Sequence, residues 1–224
     1  MTKTLFSWDL NGTLFAEPAT LNTAALQAVM DNHGIKRAVA GWETVSGGWD
    51  RIGILAPELG YNKEVVMEFQ AHRERLLKLP EYRPAPFAGT KEALRRVKEN
   101  RDDNILVSTV IGKDIYDILN QDPEIRSRID AVYSAGDELF KDHPGRDPLT
   151  FSTLLPEYKA RLIDGHFRKG QYGRVVLAGN KNRDFALGVE FGVPTTTFLI
   201  RAQGKADFIV QDPLDVVKTV YASA

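Results

Sequence analysis

Polar residues suited to phosphate chemistry follow four apolar runs of this sequence. They are Asp9, Asn11, Gly12 and Thr13 after the first run, Ser108 and Thr109 after the second, Lys141 beyond the third, and Asn180 and Asp184 after the fourth. A carboxylate such as that of Asp9 can act as a nucleophile and form an acyl-phosphate intermediate. Hydroxyl and ammonium groups can hold the phosphate oxygens, and Gly12 permits a turn that directs backbone N–H groups to the same oxygens. These residue types therefore predict phosphoryl transfer to a carboxylate.

The predicted nucleophile also requires a cation, because its negative charge would repel a phosphate dianion. Mg²⁺ binds hard oxygen ligands in octahedral geometry. Asp9 and Asp184 can supply two carboxylate ligands, and a backbone carbonyl and waters can supply the others. We therefore expect Mg²⁺ as the cofactor and a small phosphorylated metabolite as the substrate.

Strand-like and helix-like segments alternate along the chain in a pattern typical of an α/β fold. Apolar, β-rich runs predict strands at residues 4–8, 104–110, 131–134, 175–178, 195–200 and 208–210. Apolar strands that alternate with helices predict a Rossmann-like parallel sheet with helices on both faces. In such sheets the ligand binds beyond the carboxyl ends of the strands. The polar residues that follow the strands are therefore expected to meet in one crevice.

The segment between the first strand and the rest of the predicted core contains no convincing strand. Helical patterns at 20–33 and 64–79 lie on either side of a glycine-rich loop that ends at Arg51. We therefore predict a core domain of residues 1–15 and 85–224, with a helical cap domain at 16–84 inserted after the first strand. Arg51 would contact the substrate if this cap folds over the strand ends.

Composition limits the classes of function that the chain can have. The 224 residues include 29 basic and 30 acidic side chains, so there is no electrostatic basis for binding nucleic acid or an anionic membrane. Cysteine is absent, which excludes thiolate catalysis and cysteine-ligated zinc. No apolar run approaches the length of a membrane span, and the start of the chain does not have a signal-peptide pattern. We therefore expect a cytoplasmic protein, whose oligomeric state the sequence does not indicate.

The order and spacing of the polar residues resemble the four motifs of the haloacid dehalogenase-like hydrolase superfamily, in its subgroup with a helical cap after the first strand. The motifs match Asp9-Leu10-Asn11-Gly12-Thr13, then Ser108 with Thr109 as its rival, then Lys141, and finally Gly179-Asn180-Lys181-Asn182-Arg183-Asp184. The spacing after Lys141 is irregular, so Arg146 is an alternative cation. The resemblance covers essentially the whole chain and implies a hydrolase of the phosphatase type.

The resemblance also implies a role for each matching residue. Asp9 would be the nucleophile, and Ser108 and Lys141 would hold the phosphate. The metal ligands would be Asp9, Asp184, Asn180 and the backbone carbonyl of Asn11. Position 11 would normally carry the acid that protonates the leaving alkoxide and then deprotonates the attacking water.

Two asparagines depart from the family pattern, and both replace carboxylates. Asn11 cannot serve as an acid or a base, and loss of such a group typically costs about 10²–10⁴ in rate. Asn180 would hold Mg²⁺ more weakly than an aspartate. Three interpretations stay open: a hydrolase of substrates with good leaving groups such as acyl phosphates, an inactive pseudo-phosphatase that acts as a binding or regulatory module, and a dehalogenase-like enzyme that attacks carbon.

Overall fold

The chain divides into two compact units. The computed structural model describes residues 2–42, 50–60, 63–143, 148–185 and 189–222. The core unit comprises Met1–Ala16, Ala85–Asp142 and Leu154–Ala224, and the helical unit comprises Glu17–Pro84 and His143–Thr153. The predicted division differs from these units in the place of Ala16 and of the segment His143–Thr153. The role of the helical unit as a cap stays a prediction.

The core unit is built on a six-stranded sheet in which neighbouring strands run parallel. Its strands are β1 (Lys3–Trp8), β4 (Asp103–Ser108), β5 (Ala131–Ser134), β6 (Tyr172–Gly179), β7 (Thr195–Ile200) and β8 (Phe208–Val210). A separate antiparallel pair is formed by β2 (Phe15–Ala16) and β3 (Ala85–Pro86). The order of the sheet is β5-β4-β1-β6-β7-β8, so β1 lies between β4 and β6. The carboxyl ends of these three strands therefore open at the same edge.

One or more helices of the described residues connect most successive strands. They are α1 (Ala19–Asn32), α2 (Asp50–Leu55), α3 (Lys63–Leu76), α4 (Thr90–Glu99), α5 (Gly112–Leu119), α6 (Pro123–Ser127), α7 (Ala135–Asp142), α8 (Pro148–Phe167) and α9 (Pro213–Ala222). The predicted fold class, a Rossmann-like parallel sheet with helices on both faces, is confirmed. No helix among the described residues is long and apolar enough to cross a membrane.

Both faces of the sheet are covered by apolar side chains, and successive residues of a strand point to opposite faces. On β1, Phe6 packs in a cluster with residues of α4, α5 and α9, whereas Leu5 packs in a second cluster with residues of α8. Burial of each such side chain contributes about 1.5–3 kcal/mol. The two layers of packing hold the strand ends rigidly in register, which is the condition for a precise site at the sheet edge.

The helical unit has a hydrophobic core of its own, formed by apolar residues of α1, α2 and α3. In that core the rings of Trp42 and Phe69 stack with their centroids 5.4 Å apart. The nearly buried Arg73 of α3 pairs with Glu17 and also donates a hydrogen bond of 3.2 Å to the Asn22 side chain. These contacts tie α3 to the start of α1.

Candidate active site

Asp9 lies directly beyond β1, in a turn that the neighbouring apolar residues hold closed. Its backbone N–H donates a 2.9 Å hydrogen bond to the carbonyl of Ala178 on β6. The carbonyl of Leu10 accepts hydrogen bonds of 2.9 Å from the N–H groups of both Leu14 and Phe15. The side chains of these three residues are almost completely buried. The turn therefore presents Asp9 at the sheet edge while its apolar residues anchor it to the core.

A buried lysine joins Asp9 to the second predicted carboxylate. Lys159 Nζ donates a hydrogen bond of 2.7 Å to Asp9 Oδ1 and one of 2.6 Å to Asp184 Oδ1. Lys159 is 1% exposed, Asp9 9% and Asp184 6%. Two acidic residues that are 175 positions apart in the sequence thus share one ammonium group. We call this group of three residues the carboxyl-edge cluster.

The charges of the carboxyl-edge cluster keep Lys159 protonated. Burial alone would lower its pKa, but attraction to Asp184 and Asp9 outweighs burial, and the pKa of Lys159 is raised above its usual value. With both aspartates ionised the cluster carries a net charge of −1. This residual negative charge suits an oxygen nucleophile and a cation, but not an unaccompanied phosphate.

Asp184 is held in place by its own loop. It ends a short 3₁₀ turn, Asn182–Asp184, that follows β6. Its Oδ2 accepts hydrogen bonds from the backbone N–H groups of Asn180 at 3.1 Å and Lys181 at 2.9 Å. A Cβ at Gly179 would lie only 2.3 Å from Asp184 Cβ, so a glycine is required there for the close approach. Together these contacts aim Asp184 Oδ1 at Lys159.

The first and fourth motifs touch through Gly12 and Asn180. Gly12 has a φ of +80°, and a Cβ on it would lie 2.0 Å from Asn180 Nδ2. The N–H of Gly12 donates to the Phe15 carbonyl at 2.7 Å. The N–H of Gly12 is therefore engaged within the turn, and the prediction that backbone N–H groups of this turn hold phosphate oxygens stays a prediction. Thr13 is completely buried, and its hydroxyl has no hydrogen-bond partner within the described part of the chain.

Ser108 lies at the same sheet edge as Asp9. Leu106 of β4 pairs with Trp8 of β1, so β4 runs two residues beyond the last residue of β1 and ends at Ser108. Ser108 is 1% exposed, and its Oγ accepts a 3.2 Å hydrogen bond from the Val110 N–H. Thr109, the rival candidate, follows it and is half-buried. The phosphate-binding roles of both residues stay predictions.

The lysine at the site is Lys159, which the sequence analysis missed. Lys141, the residue assigned from the sequence, lies exposed in the last turn of α7. The alternative, Arg146, lies outside the described residues. A signal for Lys159 was present, because Leu155, Lys159 and Ile163 recur at i, i+4 and i+8 and therefore share one helix face. A lysine on an otherwise buried apolar stripe requires a negative partner.

Arg51 belongs to the helical unit, and its predicted contact with substrate stays a prediction. Its guanidinium carbon lies 5.4 Å from the centroid of the Trp42 ring. Such a stacking distance is typical of a cation–π contact.

The oxygen-rich donors at the sheet edge are of the kind that Mg²⁺ accepts. Mg²⁺ usually keeps several waters and is held by one or two carboxylates. Asp9 and Asp184 offer two carboxylates that Lys159 already brings together, and the neutral oxygens of Asn180 and of the Asn11 backbone stay predicted ligands. No cluster of three or more histidines and acidic residues suited to a metal occurs among the described residues. The pair of carboxylates at this site therefore fits the usual protein ligand set of Mg²⁺.

Solved structures of several proteins, two of them hydrolases by name, share this architecture. A haloacid dehalogenase-like family hydrolase from Streptococcus pneumoniae is 15% identical, with a TM-score of 0.66 and coverage of 98% of both chains. A HAD-superfamily hydrolase of subfamily IA from Geobacter sulfurreducens PCA is 16% identical, with a TM-score of 0.63 over 98% of this chain and 96% of that chain. CbbY from Rhodobacter sphaeroides, solved in complex with phosphate, is 14% identical, with a TM-score of 0.58 over 96% of each chain.

The likeness to these hydrolases lies in the fold, since so few residues are identical. No protein-family model and no curated protein matches the sequence. The shared architecture extends over nearly the whole chain, and it agrees with the resemblance that the motifs carry. This chain has the haloacid dehalogenase-like fold.

Proposed function

We propose that the core unit transfers a phosphoryl group from a small phosphorylated metabolite to Asp9 and then hydrolyses the product slowly. The observation that supports this most directly is the carboxyl-edge cluster, in which one buried ammonium contacts Asp9 and Asp184. Several structures of the same fold are hydrolases by name, and CbbY, which has the same fold, was solved with phosphate.

Asp9 is the proposed nucleophile because its carboxylate lies beside the ammonium group of Lys159 and the residue is held directly beyond the strand. Lys159 contacts Oδ1 at 2.7 Å, and the backbone bond to Ala178 fixes the residue beyond β1. The positive charge of Lys159 favours the ionised carboxylate, which is the nucleophilic form. Ser108 at the neighbouring strand end is the proposed hydroxyl donor to a phosphate oxygen.

Mg²⁺ is the proposed cofactor. Asp9, Asp184, Asn180 and the backbone carbonyl of Asn11 would hold it. When bound, it would neutralise the negative charge of the phosphate and of the carboxylates that face it. Lys159 already neutralises one of the two carboxylate charges, and Asn180 adds none, so we expect weak binding of the metal.

A second candidate function is a pseudo-phosphatase that binds a phosphorylated ligand without turnover. The two asparagines favour it, because Asn11 cannot move a proton and Asn180 carries no charge. The same residues also leave open attack on carbon, as in a dehalogenase. The three functions differ in the product that the protein releases. A hydrolase would release phosphate, a pseudo-phosphatase would release nothing, and a dehalogenase-like enzyme would release halide.

The test is a release assay with phosphate esters, acyl phosphates and 2-chloro acids, each with and without Mg²⁺. The variants are Asp9→Asn and, as a matched control, Asp117→Asn, whose side chain is 59% exposed. We expect slow phosphate release that depends on Mg²⁺, disappears in Asp9→Asn and persists in Asp117→Asn. Activity that survives Asp9→Asn would refute the proposed nucleophile. Binding without release would favour the pseudo-phosphatase, and release of chloride would favour attack on carbon.

A further inference from the structure

Arg201, the exposed residue directly after β7, carries a guanidinium group that the fold holds in place but does not neutralise. We propose that Arg201 binds a second anionic group of the substrate, a carboxylate or a second phosphate, at the far end of the molecule from the phosphoryl group. This inference rests on the proposed function for the position of the phosphoryl group at Asp9. It adds a class of substrate, namely metabolites that carry two separated anionic groups.

The backbone of Arg201 has a conformation that arginine rarely adopts. Its φ is +52°, in the left-handed region, where the side chain of an L residue crowds the backbone. Arg101 also has a positive φ, +62°, but it directly follows the C-cap of α4, where a left-handed residue commonly ends a helix. Arg201 follows a strand and has no helix to end. Residues in such conformations cluster at sites that bind ligands.

Three contacts fix Arg201 in this conformation. Its backbone N–H donates a hydrogen bond of 2.9 Å to the carbonyl of Val210, and its Nε donates one of 2.7 Å to the carbonyl of Gln211. The guanidinium carbon lies 4.0 Å from the centroid of the Phe87 ring, within the range of a cation–π contact. A side chain that is already ordered loses less conformational entropy when it binds a ligand. Arg201 is therefore preorganised for binding.

The outer nitrogens of the guanidinium, Nη1 and Nη2, are the donors that a ligand would use. Neither has a hydrogen-bond partner, and no carboxylate forms an ion pair with Arg201, within the part of the chain that the structure describes. The nearby acid Asp212 is engaged elsewhere, since it accepts hydrogen bonds from the N–H groups of Gly89 at 3.2 Å and Leu214 at 2.8 Å. A planar pair of N–H donors matches two oxygens of a carboxylate or a phosphate.

Arg201 lies at the same edge of the sheet as Asp9. Only β6 lies between β1 and β7, and Gly179 at the end of β6 pairs with Leu199 of β7. Since neighbouring strands are about 4.8 Å apart, the ends of β1 and β7 are about 10 Å apart. An extended metabolite with an anionic group at each end therefore has the length to reach from Asp9 to Arg201.

Two hydrogen bonds connect the surroundings of Arg201 to the loops of the candidate active site. The N–H of Phe87 donates to the carbonyl of Leu14 at 3.0 Å, in the turn that presents Asp9. The N–H of Lys205, in the loop that Arg201 begins, donates to Asn182 Oδ1 at 3.3 Å, at the start of the 3₁₀ turn that carries Asp184. The position of the guanidinium is therefore set relative to both loops.

The experiment compares ligands that differ only in the second anion. Calorimetry in the presence of Mg²⁺ measures the dissociation constants of hexylphosphonate and of hexane bisphosphonate, which has a phosphonate at each end. Their C–P bonds are not hydrolysed, so binding is measured without turnover. We expect the wild type to bind the bisphosphonate about tenfold more tightly, or better, as is typical of a hydrogen bond between charged groups. An analogue with a carboxylate at the far end shows which of the two anions Arg201 prefers.

The variants separate recognition of the second anion from support of the fold. Arg201→Asn removes the guanidinium and keeps a residue that tolerates a positive φ. It should abolish the preference for the bisphosphonate and leave the binding of hexylphosphonate unchanged, whereas loss of a structural role would weaken both ligands equally. Arg201→Lys keeps the charge without the planar pair of donors and should retain part of the preference. The matched control, Arg101→Asn, makes the same change of charge just before β4 and should keep the full preference.

The outcomes that overturn the inference differ from those that overturn the proposed function. The inference is refuted if the wild type shows no preference, if the preference survives Arg201→Asn, or if Arg101→Asn loses it equally. In each of these cases phosphate release that depends on Asp9 would leave the proposed function standing. A preference that depends on Arg201, in a protein whose phosphate release does not change in Asp9→Asn, would support the anion site and refute the proposed nucleophile.

Discussion

Two polar clusters lie at opposite edges of the parallel sheet. They differ in whether buried charged groups contact one another directly or neutral groups lie between the charges and the core. The carboxyl-edge cluster places three full charges in direct contact inside the protein. At the amino ends of the strands is a second group, which we call the amino-edge cluster. Three of its members, Lys3, Asp103 and Tyr172, lie at the starts of β1, β4 and β6. The side chains of His166 on α8 and Tyr133 on β5 extend this group through hydrogen bonds.

The amino-edge cluster separates its charges from the core with neutral groups. Tyr172 donates its hydroxyl proton to Asp103 at 2.8 Å, so its oxygen accepts from His166 Nε2 at 3.0 Å. The other ring nitrogen, Nδ1, then accepts from the Tyr133 hydroxyl at 2.9 Å. This chain assigns a neutral imidazole with its proton on Nε2. The charged pair, Lys3 and Asp103, lies towards solvent.

One helix supplies the central basic residue of both clusters. Lys159 and His166 of α8 are seven residues apart, which is nearly two full turns and about 10.5 Å along the helix. Both therefore face the sheet, one near each edge. The comparison shows that the fold tolerates a buried cluster of charges where chemistry is proposed, and satisfies polar groups with neutral hydrogen bonds at the other edge.

The largest expected effect comes from removing the central cation of the carboxyl-edge cluster. Lys159→Met leaves Asp9 and Asp184 buried together without compensation. Breaking a buried ion pair in this way costs about 3–5 kcal/mol. Denaturant unfolding should therefore show a loss of this size in the free energy of unfolding.

The matched control is Lys141→Met, which changes the exposed lysine of α7. A surface substitution of this kind should alter the free energy of unfolding by less than about 0.5 kcal/mol. Equal free energies of unfolding for Lys159→Met and Lys141→Met would contradict the contacts of Lys159. They would favour Lys141 as the lysine of the site.

A smaller effect is expected from breaking the neutral chain of the amino-edge cluster. Tyr172→Phe removes both the donor to Asp103 and the acceptor for His166. Asp103 keeps Lys3 as a partner, and the cluster is only partly buried, so the expected loss is about 1 kcal/mol. Chemical denaturation of the variant measures this loss. A loss in the free energy of unfolding as large as that of Lys159→Met would mean that the neutral amino-edge cluster contributes as much to stability as the charged carboxyl-edge cluster.

The pH dependence of stability sharpens the comparison, since only the amino-edge cluster contains a group that titrates near neutrality. Burial lowers the pKa of His166, and Lys169 lowers it further, whereas Asp103 and Asp130 act in the opposite direction. The folded state therefore binds fewer protons than the unfolded state below the ordinary histidine pKa of about 6.5. The stabilisation is complete above that pH and is lost as the pH falls towards the lowered pKa of the folded state.

The measurement compares the free energy of unfolding of the wild type and His166→Gln between pH 7 and pH 5. The pKa of Asp103 lies below its usual range, because hydrogen bonds from Lys3 and Tyr172 outweigh burial, so Asp103 does not titrate in this window. Contributions that do not involve His166 are common to both proteins and cancel in the difference. We expect a shallower fall in the variant, and identical slopes would show that His166 does not couple folding to protonation.

The parallel sheet and the proximity of Asp9 to Asp184 were predictable, because both depend on short stretches of the sequence. Asp9 and Asp184 each follow an apolar strand directly, and parallel strands end at a common edge. Lys159 was not predictable in the same way, since it lies on a helix and meets Asp9 across 150 positions. Pro156 also lies inside that helix, and an internal proline normally indicates that a helix ends. The hydrogen bond of the Gly12 N–H likewise depends on the three-dimensional closure of the turn.

The smallest expected effect concerns the exposed end of the amino-edge cluster. Lys3 contacts Asp103 at 3.0 Å, but the lysine side chain is 53% exposed and solvent screens the pair. Exposed ion pairs contribute about 0.2–1 kcal/mol, and their contribution falls with salt. Lys3→Met should therefore lower the free energy of unfolding by a few tenths of a kcal/mol in dilute buffer, and the difference should vanish at high salt because Tyr172 still donates to Asp103. A loss that persists at high salt would mean that Lys3 stabilises the fold through packing of its aliphatic side chain. It would also mean that the hydrogen bond from Tyr172 is not what satisfies Asp103.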